Sequence, residues 1–216
     1  MKKRDMAILN DLQRFRCLTR DQIIQLHFSQ LKQPITCCNT VLKRLRRDGL
    51  IEVSTNHQPY LYFPAPAGIK KDSTKIPHFL KIAEFYISLL KFEEPKSFVV
   101  EPKYGKGYME PDGFMIWKRA PFFVEIQRSI YTEKVMNAKI QRYEQYFYSE
   151  EWQHEPWQPT DKKVFPAVIL ITDTRYNIES KIRFYQVQDI NQLLNMTETK
   201  IMSVEVKNSP LKLKVQ

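Results

Sequence analysis

Asp112, Glu125 and Gln127 are the residues of this chain whose types and spacing could do chemistry. The stretch EPDGFMIWKRAPFFVEIQRS, residues 110–129, sets Pro-Asp-Gly ahead of an apolar run, FMIWK, and follows a turn-like break with a second run, FFVEIQ. Side chains alternate along a strand, so Glu125 and Gln127 share one face and Val124 and Ile126 take the other. If the two runs pair around a turn at 118–121, Asp112 comes close to Glu125. Two carboxylates and a backbone carbonyl form an oxygen donor set for Mg²⁺, or for Mn²⁺ in its place. Such an ion activates water and stabilises charge on a scissile phosphate. Against this, Pro-Asp-Gly is strong turn chemistry in its own right, and a strand glutamate can simply face solvent.

Several elements must hold these residues. Helical periodicity in HFLKIAEFYISLLKF puts Leu80, Ala83, Ile87 and Leu90 on one stripe, with Glu84 inside the helix. SFVVEPKY is a strand candidate ending near Glu101. Thr132 is placed to cap a long helix reaching about Tyr148, with Met136, Ile140, Tyr143 and Phe147 on its buried face. Lys134, Lys139 and Arg142 lie on that helix within reach of a phosphate. The near-continuous apolar run VFPAVILIT suits a central strand covered on both sides. Helical patches are expected at 178–185 and 190–194, then a strand, IMSVEV. The order of elements is α/β, or α+β overall.

Ahead of them stands a different unit. Met6, Leu9, Leu12 and Phe15 mark one face of a first helix, Thr19 caps a second, and a third runs from Thr36 through TCCNTVLKRLRRDGL to Gly49. LIEVS and YLYFP around a polar break read as a hairpin. Three helices and a hairpin are the plan of a winged helix-turn-helix, and LKRLRRDGLIEV resembles the junction between recognition helix and wing in that family. In that plan the third helix enters the major groove. The candidate DNA contacts are Thr36, Asn39, Thr40, Lys43, Arg44, Arg46 and Arg47. Asn and Arg can read base edges, and Lys mostly meets phosphate. Residues 1–66 are thus expected to form a DNA-binding domain, 67–76 a Pro- and Lys-rich linker, and 77–216 the second domain.

Charge points the same way. The net charge is +10, and residues 1–70 hold 12 Lys/Arg against 5 Asp/Glu, so most of the excess lies in the first third. A compact basic unit is the footprint of a polyanion binder. No apolar run approaches the roughly 18 residues of a membrane helix, and no apolar segment follows the basic Met1-Lys2-Lys3-Arg4, so neither a membrane span nor a signal peptide is expected. Three cysteines, two of them adjacent, suit neither a disulfide framework nor zinc. Free thiols in a cytoplasmic protein are the expectation.

The element order of the second unit resembles the PD-(D/E)xK nuclease-like core. That resemblance implies metal ligation by Asp112 and Glu125, with Glu84 at the place of an extra metal-binding acid and Glu101 as its rival. The family's lysine falls at Gln127, which can orient water but supplies no charge and no base; Lys139 is the candidate to compensate. Nearly the whole chain resembles the replication-relaxation family of plasmids, phages and conjugative elements. The carrying residues are Pro111-Asp112, Glu125-Ile126-Gln127, Lys139 and Tyr143. The resemblance implies double-stranded DNA as partner, with replication or transfer proteins beside it. Winged helices often act as dimers on paired half-sites, so a homodimer is one expected state, although no coiled-coil seam is visible. Two functions fit. One is a mobile-element DNA-binding protein acting in replication, relaxation or transfer, with Mg²⁺-dependent nicking left open. The other is a non-enzymatic transcriptional regulator or replication accessory whose degenerate nuclease fold serves dimerisation or partner binding.

Overall fold

The computed structural model describes residues 1–196. The strand expected at IMSVEV lies outside them. Helix α1, Lys3–Phe15, buries Ile8, Leu12 and Phe15 along one stripe. Strand β1, Leu18–Thr19, leads into α2, Arg20–His27. Thr19 Oγ1 accepts the Gln22 amide at 3.1 Å and Gln22 Oε1 accepts the Thr19 amide at 3.1 Å, a reciprocal cap that fixes where α2 starts. Helix α3, Pro34–Arg47, opens two residues earlier than its sequence signal, because proline at the first turn loses no intrahelical hydrogen bond. It ends at Gly49, φ 70°, with Gly49 N donating to Arg46 O at 3.1 Å and Leu50 N to Leu45 O at 2.9 Å. Strands β2, Ile51–Ser54, and β3, Leu61–Pro64, complete a small antiparallel sheet of order β1-β3-β2.

Helix α4, Ile76–Leu89, begins inside the expected linker. Beyond it a five-stranded sheet runs β4-β5-β6-β7-β8: Ser97–Val100, Gly113–Trp117, Ala120–Ile126, Ala167–Ile171 and Phe184–Val187. The β4/β5 and β5/β6 pairs are antiparallel, and β6/β7 and β7/β8 parallel. Helix α5, Glu133–Ser149, makes the crossover between β6 and β7 that a parallel pair requires. Thr132 caps it, its Oγ1 accepting Val135 N at 3.4 Å. The helix expected at 178–185 is absent: 178–183 is irregular and Phe184–Val187 is the edge strand β8. Its apolar residues serve a parallel ladder with β7, so tertiary pairing overrides a short helical pattern. Residues 190–196 are helical. None of the described helices is long and apolar enough to cross a membrane.

The large sheet is covered on both faces. Val124 and Ile126 of β6 turn toward α4 and the N-terminal helices; Phe123 and Glu125 turn toward α5. The first core is continuous from α1 to β8. Phe15 meets Tyr86 at 5.4 Å and Phe98 at 6.2 Å between ring centroids. The Arg14 guanidinium lies 4.5 Å from the Tyr86 ring centroid, and Gln22 Nε2 donates to the Leu80 carbonyl at 2.9 Å. The three-helix unit is therefore packed onto α4 and the sheet, not merely tethered to them.

Candidate functional site

The register of the β5/β6 hairpin pairs Gly113 with Val124, so Asp112 and Glu125 are the next opposed positions. Asp112 stands just before β5, where its carbonyl accepts the Glu101 amide at 3.0 Å. Its carboxylate bridges outward: Oδ2 accepts the Ile126 amide at 2.6 Å, and Oδ1 lies 3.0 Å from His78 Nε2 on the first turn of α4. That contact holds the His78 imidazole above its ordinary pKa, against the effect of burial.

Glu125 is 2 % exposed beneath α5. Its Oε1 accepts the Tyr143 hydroxyl at 2.7 Å, and its Oε2 is ion-paired with Lys139 Nζ. Lys139 and Tyr143 are one helical turn apart, so α5 presents both to the same carboxylate. Burial drives the Glu125 carboxyl upward, while the Lys139 ammonium and the Tyr143 hydroxyl pull against it. Burial also works against the Lys139 charge, but the Glu125 carboxylate more than offsets that and holds the ammonium above its usual range. We take the pair as ionised, because a neutral carboxyl would leave the ammonium buried without its counter-charge.

Gln127 sits just past β6 and does not turn to the two acids. Its Nε2 donates to Ser129 O at 2.7 Å and to the Tyr176 hydroxyl, which in turn accepts the Tyr131 amide at 3.0 Å. The Tyr131 ring lies 5.7 Å from Lys139 Nζ. Gln127 thus ties down the loop that closes over Lys139. Glu84 is remote in role: it is exposed on α4 and paired with Lys81 at 2.8 Å. Lys134 and Arg142 are exposed on α5. Glu101, at φ 47°, lines a cleft of about 330 Å³ together with Lys75, His78, Asp112, Arg128 and Lys139. Glu125 is not among its lining residues. Among the described residues no group of three His, Cys, Asp or Glu side chains is placed to hold a metal ion. With both acids already engaged by protein donors, the donor set does not fit a divalent cation.

On α3 the side chains of Thr36, Asn39, Thr40, Lys43, Arg46 and Arg47 are exposed. Thr40 Oγ1 is used locally, donating to Thr36 O at 2.9 Å, and Arg47 reaches Asp48 at 3.1 Å. Arg44 differs from the rest: it lies 2.7 Å from Asp5, which is 1 % exposed in α1, and so joins two helices. Arg20, Tyr60 and Tyr62, none of them singled out by sequence, surround Asn39 in a cleft of about 410 Å³ between α3 and the β2–β3 loop. Cys17, Cys37 and Cys38 are free, and burial pushes the Cys17 and Cys38 thiols up to about 12.

His78 was legible only as the opening of a helix, since nothing local announces a partner 34 positions away. Tyr176 carried no signal at all. Comparison with known proteins adds one finding: residues 65–160, a little under half of the chain, match the family model for replication-relaxation. No curated protein and no solved structure matches the chain. Residues 65–160, which hold α4, β4 to β6, α5 and the whole Asp112–Glu125–Lys139–Tyr143 cluster, are thus the part of the chain that is similar to the replication-relaxation family.

Proposed function

We propose that this is a double-stranded DNA-binding protein of a mobile genetic element, acting in plasmid or phage DNA replication, relaxation or transfer without cutting. The three-helix unit is a winged helix that holds DNA through α3 and the β2–β3 wing. The sheet domain is a nuclease-like scaffold that contacts replication or transfer proteins, or a second copy of the chain, in the cytoplasm. The carrying observation is a contrast in side-chain commitment. Asn39, Lys43 and Arg46 project from α3 into solvent in the basic third of the chain, whereas every carboxylate oxygen of Asp112 and Glu125 already has a protein partner.

A salt titration of duplex binding tests this. Each lost phosphate contact lowers the slope of log K against log salt by about 0.9. Lys43→Ala and Arg46→Ala are expected to lower it by about one each, and by about two together, with unchanged melting temperature. Unchanged slopes would remove α3 from the interface. Mg²⁺- or Mn²⁺-dependent nicking of supercoiled DNA by the wild type, absent in Glu125→Ala, would replace the non-cutting reading with the enzymatic one.

A further inference from the structure

We propose that a cleft at the end of the sheet remote from Asp112 and Glu125 docks an acidic segment of a partner protein, with one bulky apolar side chain of that segment seated in it. The proposal deepens, and rests on, the reading of the sheet domain as a scaffold that contacts other proteins.

The place follows from topology. Strands β6, β7 and β8 run parallel, so their first residues lie together at one end of the sheet. Ala120 and Glu125 are five positions apart on β6, roughly 17 Å of strand. At the Ala120 end, the start of β6, Ala167 of β7 and the chain leading into β8 surround a cleft of about 370 Å³.

Its walls are apolar: Phe122, Phe147, Val164, Phe165, Pro166 and Ile182. They are also ordered in advance. Phe165 packs edge-on against Phe147 at 5.1 Å and against Trp152 at 5.3 Å between centroids. An apolar side chain that enters meets a preformed surface and costs little reorganisation. The charge around it has one sign. Among the described residues Lys181 and Arg183 line the cleft, and no Asp or Glu does. Lys118 and Arg119 precede Ala120 in the chain, and Lys162 and Lys163 precede Val164. All six are exposed, and among the described residues none of them makes an ion pair.

These features choose the occupant. Unpaired cations around an apolar cleft complement a ligand that is acidic outside and apolar at one point. The chain's own residues 197–216 hold four Lys against two Glu, and the whole chain carries +10, so charge disfavours both that segment and a second copy. Single-stranded nucleic acid needs free ring faces for its bases. Phe147 instead lies parallel to Trp152 at 6.2 Å, and much of the remaining wall is aliphatic.

The test is fluorescence anisotropy on the full chain. The probes are labelled peptides of alternating Asp and Gly around one Phe, Leu or Trp. Each has two controls, one with Asn for every Asp and one with Ser for the apolar residue. Wild type is expected to bind at least one Asp probe roughly tenfold more tightly than either of its controls, the scale of two surface ion pairs or of one buried apolar side chain. Lys181→Gln/Arg183→Gln, and separately Val164→Asp, are expected to lose that advantage. All three positions are exposed, so melting temperature and duplex affinity, read on the same samples, should stay at the wild-type values. A wild type that binds no Asp probe, or binds it no better than the Ser control, overturns the proposal. So does peptide binding that the double variant leaves intact. Oligo-dT binding that is lost in the double variant, with no peptide bound, assigns the cleft to single-stranded nucleic acid and overturns it too. Duplex binding without peptide binding sinks this proposal alone, whereas peptide binding without duplex binding sinks the DNA-binding reading alone.

Discussion

Replacing Tyr143 by phenylalanine isolates the hydrogen bond that holds the buried acid. The Tyr143 ring is fully buried, with Phe123 at 5.5 Å and Phe184 at 6.0 Å between centroids. Phenylalanine keeps those contacts and opens no cavity larger than one oxygen atom. What disappears is the hydroxyl donated to Glu125 Oε1 at 2.7 Å. With Glu125 only 2 % exposed, water does not replace it. A hydrogen bond to a charged group is worth about 1.5–3 kcal/mol, so Tyr143→Phe is expected to cost about 2 kcal/mol at neutral pH. For a chain of this size that is roughly 4–8 °C in melting temperature. Urea unfolding followed by circular dichroism measures it directly. The same substitution in a Glu125→Gln background should cost only about 1 kcal/mol, the ordinary value for a neutral pair, and the difference between the two costs is the coupling to the charge. A loss below about 0.5 kcal/mol, or the same loss in both backgrounds, would refute a carboxylate held by this hydroxyl.

Two further outcomes follow from the packing and the electrostatics. Phe15→Ala empties a fully buried ring site where α1 meets Tyr86 and Phe98, and should cost about 3–5 kcal/mol in a single unfolding transition; two separate transitions, with the sheet domain unaffected, would show that the units do not share a core. His78 is held above its unfolded pKa by Asp112, so its contribution to stability is complete below about pH 6.5 and is lost as pH rises through the folded value. Urea midpoints at pH 6 and pH 8.5 should therefore differ less in His78→Gln than in the wild type, and equal differences would refute the pairing.

The adjacency of Asp112 and Glu125 was legible because it depends on period and turn length alone: alternating apolar runs on either side of a short turn bring their far ends together. The partner of each acid was legible to different degrees. Lys139 was named from the helix that follows β6, but as a residue in reach of a phosphate; its pairing with Glu125 comes from the packing of α5 on β6. His78 and Tyr176 come from elements far away in the chain, and no local pattern encodes such contacts. Arg44 shows the opposite limit. In sequence it is one of four basic residues in a row of five positions, and only the packing of α1 against α3 singles it out as the partner of Asp5. The short helix expected at 178–185 failed because its apolar residues fit a strand edge as well as a helix face, and β7 was there to pair with.

The reach of the first core sets how α3 and the sheet domain relate. Composition marks 67–76 as a boundary, yet the contacts across it are those of an interior: tilted ring pairs among Phe15, Tyr86 and Phe98, and the Gln22 amide on the Leu80 carbonyl. Gln22 belongs to α2, and Leu80 lies two residues after His78 on α4. From the helix that supports α3 to the carboxylate of Asp112 there are thus two hydrogen-bonded steps through one rigid helix. A flexible tether would let the basic face of α3 and the cleft above Lys139 reorient independently. This core does not, because sliding α4 against α1 would pull apart buried rings that pack against one another. If the proposed DNA-binding reading holds, a duplex that met both surfaces would have to conform to their fixed separation, at a deformation cost set by its sequence.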